Sequence, residues 1–180
     1  PSEGNYVLKI GHANAGFGKI LVKNDDIVDK ISTFRDYAGV VALTPLYCAG
    51  EPFIKYDHEL RIQKIGDKIR VLKRRSANWK GNVGNTARVV NVEEKDIQEK
   101  WKKWIKTVAE VWPGGLDICA LDVLVDKDGK EYILEVNDTA IGLANDYRDI
   151  DSGYIRDLVL FRMNNVFFPS INNQSQQQQP

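Results

Sequence analysis

Two acidic residues, Asp122 and Glu135, stand in otherwise apolar segments on either side of a tight turn signal. That signal is the Asp-Gly pair at 128–129, a dipeptide typical of two-residue hairpin loops. If Lys127 pairs with Lys130, the same register brings Asp122 opposite Glu135, with Cβ atoms about 5 Å apart. Like charges this close in a partly buried sheet need a counter-charge, and carboxylate oxygens suit Mg²⁺ or Ca²⁺. The pair is therefore predicted to hold a divalent cation; two solvated carboxylates or a shared proton are the alternatives.

A glycine-rich stretch, GHANAGFGK at residues 11–19, could close over phosphate groups. Neither common phosphate-binding pattern fits it. Phe17 stands where a Walker A loop has its lysine, and Leu21 stands where a dinucleotide-binding GxGxxG has its last glycine. The next residues, ILVK, alternate as a strand does and do not open a helix. The stretch is predicted as the tip of a hairpin, a flap whose backbone N–H groups meet phosphates; a flexible turn is the alternative.

The elements that must position these residues follow from the spacing of apolar side chains. A long helix is predicted where three tryptophans share one apolar stripe, and the low-complexity tail NNQSQQQQP is predicted to be disordered. Strands are predicted at residues 6–10, 20–23, 40–44, 46–54, 58–66, 68–75, 117–125 and 131–137, and helices at 25–37, 93–112 and 150–166.

Composition excludes several classes of protein. The chain has 180 residues, a formal net charge of zero and 43% hydrophobic residues, as expected for a globular protein that binds no nucleic acid through bulk charge. No apolar run approaches the roughly 20 residues of a membrane helix. Cys48 and Cys119 lie far apart, so buried free thiols are expected. Because the chain starts with Pro1 in place of Met, it is expected to be a fragment or a processed product.

Long strings of the sequence, taken in order, resemble the conserved core domain of synapsins: VLKIGHANAGFGK, VVALT, AGEPFI, LRIQKIG, ANWKGNVG, GGLDICALDVL and KDGKEYILEV. The match runs from about residue 6 to 166, and more distantly the strings resemble ATP-grasp ligases. The resemblance implies an α+β ATP-grasp fold, in which two small, mostly antiparallel β-sheets with packed helices sandwich the nucleotide. The implied domains are a phosphate-flap lobe at 1–54, a metal-binding lobe at 55–168 and a disordered Gln-rich tail at 169–180.

The resemblance also implies roles for individual residues. Asp122 and Glu135 would hold the metal together with Asn137, which has the spacing of the Glu-x-Asn motif of ATP-grasp enzymes. Asp122 stands where synapsins usually carry Glu. The residues implied to contact the nucleotide are Lys9 on its strand; Gly11, His12, Ala13, Asn14, Ala15, Gly16, Phe17, Gly18 and Lys19 in the flap; Glu51, Pro52, Phe53 and Ile54 in the hinge; Arg61 on the next strand; and Asn78 and Lys80 in the loop at 76–88.

The function implied by the resemblance is ATP binding that depends on Mg²⁺ or Ca²⁺ and regulates assembly or vesicle association, without established turnover. The same resemblance implies a cytoplasmic protein, peripheral on vesicle membranes, with a homodimer and cytoskeletal proteins as partners. One alternative is an ATP-grasp ligase, which forms an acyl-phosphate from a carboxylate and ATP and passes it to an amine, and Asn137 favours this alternative. The other is a structural or dimerisation fragment that has lost nucleotide binding.

Overall fold

The computed structural model describes residues 4–10, 18–23, 48–75 and 88–167 of the chain. The elements predicted at 25–37 and 40–44, the tip of the flap and the tail lie outside these residues. The described elements, in chain order, are β1 (Asn5–Ile10), β2 (Lys19–Lys23), β3 (Cys48–Pro52), β4 (His58–Ile65), β5 (Lys68–Arg75), β6 (Arg88–Asn91), α1 (Glu99–Glu110), β7 (Ile118–Val125), β8 (Glu131–Asn137) and α2 (Arg148–Phe167). None of these helices is long and apolar enough to cross a membrane.

The first three strands form a small antiparallel sheet in the order β2-β1-β3. Val7 on β1 lies opposite Leu21 on one side and opposite Glu51 on the other. Leu8, the next residue, is fully buried because side chains alternate between the two faces of a strand. The hairpin predicted from the strands on either side of the glycine-rich stretch is therefore present.

The other five strands form a second sheet in the order β6-β5-β4-β7-β8. Residues 119–125 of β7 are all buried, which is typical of a strand covered on both faces. Cys119 at the start of this run is a free thiol, as expected. Helix α1 buries Trp101, Ile105 and Ala109, which follow one another at intervals of one helical turn.

Helix α1 is shorter than predicted at both ends. Residues 94–96 form a separate 3-10 turn, and the extended backbone of Ile97 and Gln98 stops that turn from continuing into the helix. At the other end Gly115 has a φ of 75°, and the Leu116 amide donates to the Ala109 carbonyl at 2.8 Å, so the chain turns back. Trp112 lies in this turn and is 41% exposed, so it is no part of the buried stripe.

The hairpin between β7 and β8 turns through three residues where two were predicted. The Gly129 amide donates to the Asp126 carbonyl at 3.1 Å, and the Asp126 amide donates to the Lys130 carbonyl at 3.0 Å. The Asp126 carboxylate stabilises the wider loop by accepting from the amides of Asp128 and Lys130. Asp126 thus lies opposite Lys130, and the predicted pairing of Lys127 with Lys130 is wrong.

The chain divides into two compact units. Unit 1 comprises Pro1–Leu60, Lys73–Val90 and Leu124–Tyr132, and unit 2 comprises Arg61–Leu72, Asn91–Val123 and Ile133–Pro180. The lobe boundary predicted between residues 54 and 55 stays a prediction. In unit 2 an apolar cluster forms around three buried residues, Ile65, Ala120 and Ile141, and receives the partly buried side chains of Ile118, Leu143, Tyr154, Ile155 and Leu158. Three of these come from α2, so this cluster anchors the last helix.

Replacing Ile105 by alanine tests the buried stripe of α1. Ile105 is fully buried, so Ile105→Ala should lower the free energy of unfolding by about 2–5 kcal/mol through lost burial and a cavity. Thr107→Ala on the exposed side of the same helix should change it by less than about 0.5 kcal/mol. Urea denaturation measures both, and equal effects of the two substitutions would contradict the assigned packing.

Candidate functional site

A buried ion pair between neighbouring strands is the centre of the candidate site. Nη1 of Arg61 on β4 lies 3.1 Å from Oδ1 and 2.9 Å from Oδ2 of Asp122 on β7. Both side chains are largely buried, at 13% and 7% exposure. Burial removes the hydration of a carboxylate, and a positive charge or strong hydrogen-bond donors beside it must offset that loss. Arg61 supplies that charge in unit 2.

Asn137 brings an amide to the same carboxylate. Its Nδ2 donates to Oδ2 of Asp122 at 3.2 Å, so the last residue of β8 reaches the acid on β7. Glu135, two residues earlier, is exposed to solvent. The structure therefore brings together Arg61, Asp122 and Asn137 from the predicted site. The register predicted to place Glu135 directly opposite Asp122 is wrong, since it relied on the pairing of Lys127 with Lys130. The role of Glu135 as a metal ligand stays a prediction.

The Arg61 guanidinium also holds the segment that follows β8. Nη2 donates to the carbonyl oxygen of Ile141, a buried residue of the apolar cluster. Nε is buried and has no hydrogen-bond partner among the described residues. An arginine carries five N–H donors in a fixed plane. Arg61 thus joins β4, β7 and the segment after β8, and retains donor capacity for a further acceptor.

Unit 2 contains a second buried carboxylate, Asp151, which sequence reasoning missed. Asp151 near the start of α2 accepts from Nη2 of Arg70 at 2.7 Å and from Nε2 of Gln63 at 2.9 Å. The Arg70 guanidinium lies over the Tyr147 ring, 4.3 Å from its centroid. Gln63 follows Arg61 by two residues on β4, so the alternation of side chains along a strand could have predicted that both lie on the same face. Asp151 is 81 residues from Arg70, and no local pattern predicts that contact.

In unit 1 the predicted phosphate lysine already has a partner. Nζ of Lys9 lies 2.5 Å from Oε2 of Glu51, so the ion pair joins β1 to the predicted hinge on β3. Lys9 is also the Cα partner of Lys19, the last residue of the predicted flap. Pro52 lies opposite Tyr6. Lys9, the end of the flap at Lys19 and the start of the hinge at Glu51 therefore lie on neighbouring strands of the small sheet.

The remaining predicted nucleotide contacts fall into two groups, those that the structure describes and those that it does not. Phe53 donates its amide to the Asn5 carbonyl at 2.9 Å, and both Phe53 and Ile54 are partly buried after β3. Gly18 has a φ of 65° and leads into β2. The predicted contacts at 11–17, Asn78 and Lys80 lie outside the described residues and stay predictions.

Unit 1 contains another polar cluster, which includes Glu59 on β4 and Arg74 on β5. Oε2 of Glu59 lies 3.1 Å from Nη2 of Arg74, and both side chains are nearly buried. Burial raises the pKa of the Tyr56 hydroxyl, and the adjacent Glu59 carboxylate raises it further by its charge and its hydrogen bond. Tyr56 is therefore a neutral hydrogen-bonding group throughout the physiological pH range.

The chemistry of these donors suits a hard cation in the company of phosphate. The carboxylate of Asp122 and the side-chain amide of Asn137 are oxygen-bearing groups of the kind that Mg²⁺ and Ca²⁺ prefer. In the described ranges no group of three or more His, Cys, Asp or Glu residues gathers as an all-protein metal cage. Mg²⁺ is commonly held by one or two carboxylates plus substrate phosphates, so the residues fit such a site.

Comparison with known families gives a match over most of the chain. The family model described as "Synapsin, ATP binding domain" matches residues 3–165. Synapsin of Drosophila melanogaster is 36% identical over 171 residues, which cover 92% of this chain and 16% of that protein. The chain thus spans about a sixth of the length of this relative.

Solved structures with the same fold include ligases. The ATP-grasp ligase PsnB, complexed with a phosphomimetic variant of its minimal precursor, Mg and ADP, gives a TM-score of 0.54 at 18% identity, over 87% of this chain and 46% of that one. D-alanine–D-alanine ligase from Bacillus anthracis, complexed with ATP, gives 0.52 at 17% identity, over 88% and 52%. At these identities the likeness establishes the ATP-grasp fold, which confirms the predicted fold class.

Replacing Arg70 by methionine tests whether the buried Asp151 depends on its cation. Asp151 is 1% exposed, so Arg70→Met should lower the free energy of unfolding by about 3–5 kcal/mol, because a buried charge loses its partner. The double variant Arg70→Met/Asp151→Leu should recover most of that loss. Arg156→Met, which removes an exposed guanidinium, is the control and should cost less than about 0.5 kcal/mol. Urea denaturation measures all three, and a small loss for Arg70→Met would contradict this role.

Proposed function

This chain belongs to the synapsin family, as an ATP-binding domain of the ATP-grasp fold, and we propose that it binds ATP together with a divalent cation at Asp122. The observation that carries the proposal is the buried carboxylate of Asp122, held between an arginine and the Asn137 amide. A buried acid beside an arginine with spare donors suits a metal–phosphate complex, in which opposite charges alternate.

The residues have separate roles in this proposal. Asp122 and Glu135 would hold the cation with Asn137, and Arg61 would donate to phosphate oxygens. Lys9 would bind the phosphates beneath the flap at 11–19, and Glu51, Pro52, Phe53 and Ile54 would receive the adenine. Asn78 and Lys80 would act from the loop at 76–88. When bound, the cation neutralises phosphate charge and orients the phosphate chain.

Magnesium is the first candidate for the cation, and calcium is the second. The complex of PsnB with Mg and ADP is a distant parallel for magnesium. Calcium accepts longer and less regular oxygen contacts than magnesium does. Asp122 has a shorter side chain than the Glu usual at this position in synapsins. The distance left between its carboxylate and the phosphates would therefore decide which of the two cations binds more tightly.

The wider role proposed is regulation without turnover. ATP binding would bias one conformation of the domain and so control assembly, vesicle association or contact with the cytoskeleton. The protein would be cytoplasmic and peripheral on vesicle membranes, and a homodimer is the assembly proposed. The membership of the chain in the synapsin family is what supports this part of the proposal.

A carboxylate–amine ligase is the second candidate function. The Asn137 amide donates to the Asp122 carboxylate, and Asn137 follows Glu135 at the spacing of the Glu-x-Asn motif of ATP-grasp enzymes. Incubation of the chain with Mg–ATP, a panel of carboxylates and an amine would detect such a reaction as ADP release. ADP release that depends on both the carboxylate and the amine would favour the ligase over the regulatory module.

The metal-dependent binding of ATP is tested by calorimetry. We expect Asp122→Asn to weaken ATP binding in Mg²⁺ at least about tenfold, a loss of roughly 1.4 kcal/mol, because the cation loses a carboxylate ligand. The same substitution should weaken ATP binding much less in EDTA, where no divalent cation is available. Asp117→Asn removes the same charge from a half-exposed pair with Arg162 and is the control. Equal weakening with and without Mg²⁺ would show that Asp122 acts only through the fold.

The phosphate role of Lys9 is tested by comparing ATP with adenosine. Lys9→Ala should weaken ATP binding about tenfold or more while adenosine binding changes little, because only ATP loses a charge-assisted contact. Lys23→Ala, an exposed lysine on β2 of the same sheet, is the matched control. Equal losses for both ligands in calorimetry would contradict the assignment of Lys9 to the phosphates.

A further inference from the structure

The Asp122 carboxylate already has its full counter-charge in the protein alone. Nη1 of Arg61 contacts both carboxylate oxygens, and the side chains are 13% and 7% exposed. A divalent cation that arrived alone would meet a guanidinium at the same two oxygens. Like charges repel strongly where water is scarce, so the two cations compete for Asp122.

Asn137 is also oriented for a state without metal. It presents its NH₂ group to Oδ2 of Asp122. A cation shared by Asp122 and Asn137 would need the amide oxygen on that side, which is a half-turn of the amide about its terminal torsion. Two neighbours of Asp122 therefore offer it donors, and each must rearrange before a cation can take their place.

Phosphate changes this balance because it gives the guanidinium another anion. Arg61 has a buried Nε without a partner among the described residues, and its planar fork matches phosphate oxygens. Phosphate oxygens can accept from Arg61 and contact the cation at once. The repulsion between the two positive groups is then replaced by two attractions to the same anion.

We propose that Arg61 is a specificity-determining residue, which excludes free divalent cations from Asp122 and admits the metal–nucleotide complex. The inference rests on the proposed function, since it takes Asp122 as a ligand of the cation. Its consequence is that metal and nucleotide bind in a strongly coupled manner, each enhancing the affinity for the other by the same factor.

The test is a titration of the nucleotide-free chain with MgCl₂ and with CaCl₂, by calorimetry and by the thermal midpoint. The wild-type chain should show no saturable binding up to millimolar metal and no metal-dependent rise in its midpoint. Arg61→Gln, which keeps an amide donor for Asp122 but removes the charge, should bind free cation at least about tenfold more tightly. The midpoint of this variant should rise with metal concentration, as linkage requires.

Two control variants locate the effect. Arg162→Gln removes the same charge from the exposed pair with Asp117 and should leave metal binding unchanged. The double variant Arg61→Gln/Asp122→Asn should lose the gained affinity, because the cation would have lost its carboxylate. A wild-type chain that binds free cation as tightly as Arg61→Gln would overturn the inference, and so would a gain that survives loss of Asp122.

Spectroscopy of the wild-type chain tests the same inference without a substitution. The Nε–H resonance of Arg61 should stay in place when MgCl₂ alone is added and should shift when Mg²⁺ and a non-hydrolysable ATP analogue are added. A shift with MgCl₂ alone would overturn the inference. If the wild-type chain fails to bind Mg–ATP at all, the proposed function fails; if it binds Mg–ATP but Arg61→Gln gains no affinity for free metal, only the inference fails.

Discussion

A charge taken out of water must be compensated, and the arrangement of unit 2 depends on how that is done for Asp122 and Asp151. Each carboxylate has an arginine from the β4–β5 hairpin as its cation, and each has a side-chain amide as a second donor. The first pair ties β4 to β7 and, through the Ile141 carbonyl, to the segment after β8. The second pair ties β5 to the first turn of α2. These two buried ion pairs thus hold the segment between β8 and α2, one at Ile141 and the other at the start of α2.

Apolar patterning was sufficient to predict most of the described elements. β5 and β8 were predicted with their observed bounds, because a turn signal precedes each of them, Gly66-Asp67 before β5 and Asp128-Gly129 before β8. Helix α1 was predicted too long because Trp112 continues the helical spacing, whereas the two glycines that follow it turn the chain back. β6 was missed because four residues carry too little pattern, and its pairing with β5 is a tertiary contact.

The site was predictable to the extent that its residues lie on regular strands. Arg61, Asp122 and Asn137 were identified from strand position and the family pattern, and they lie together. The register of the last hairpin was not predictable from Asp-Gly alone, because the Asp126 carboxylate accepts from two backbone amides and so stabilises a longer loop. The contact of Arg70 with Asp151 could not be predicted, since charge complementarity across so many residues leaves no trace in local spacing.

The position of Glu135 has a consequence for how the protein behaves in concentrated solution. β8 is the last strand of its sheet in the described part of the chain, and Ile133 and Val136 on it are 50% and 42% exposed. An exposed edge strand of this kind can pair with a strand of another chain, and charged side chains, here Glu131 and Glu135, commonly guard against such pairing. The exposed Glu135 carboxylate would therefore help to prevent such pairing in concentrated solution, and salt in the surrounding medium would weaken this effect by screening the charge.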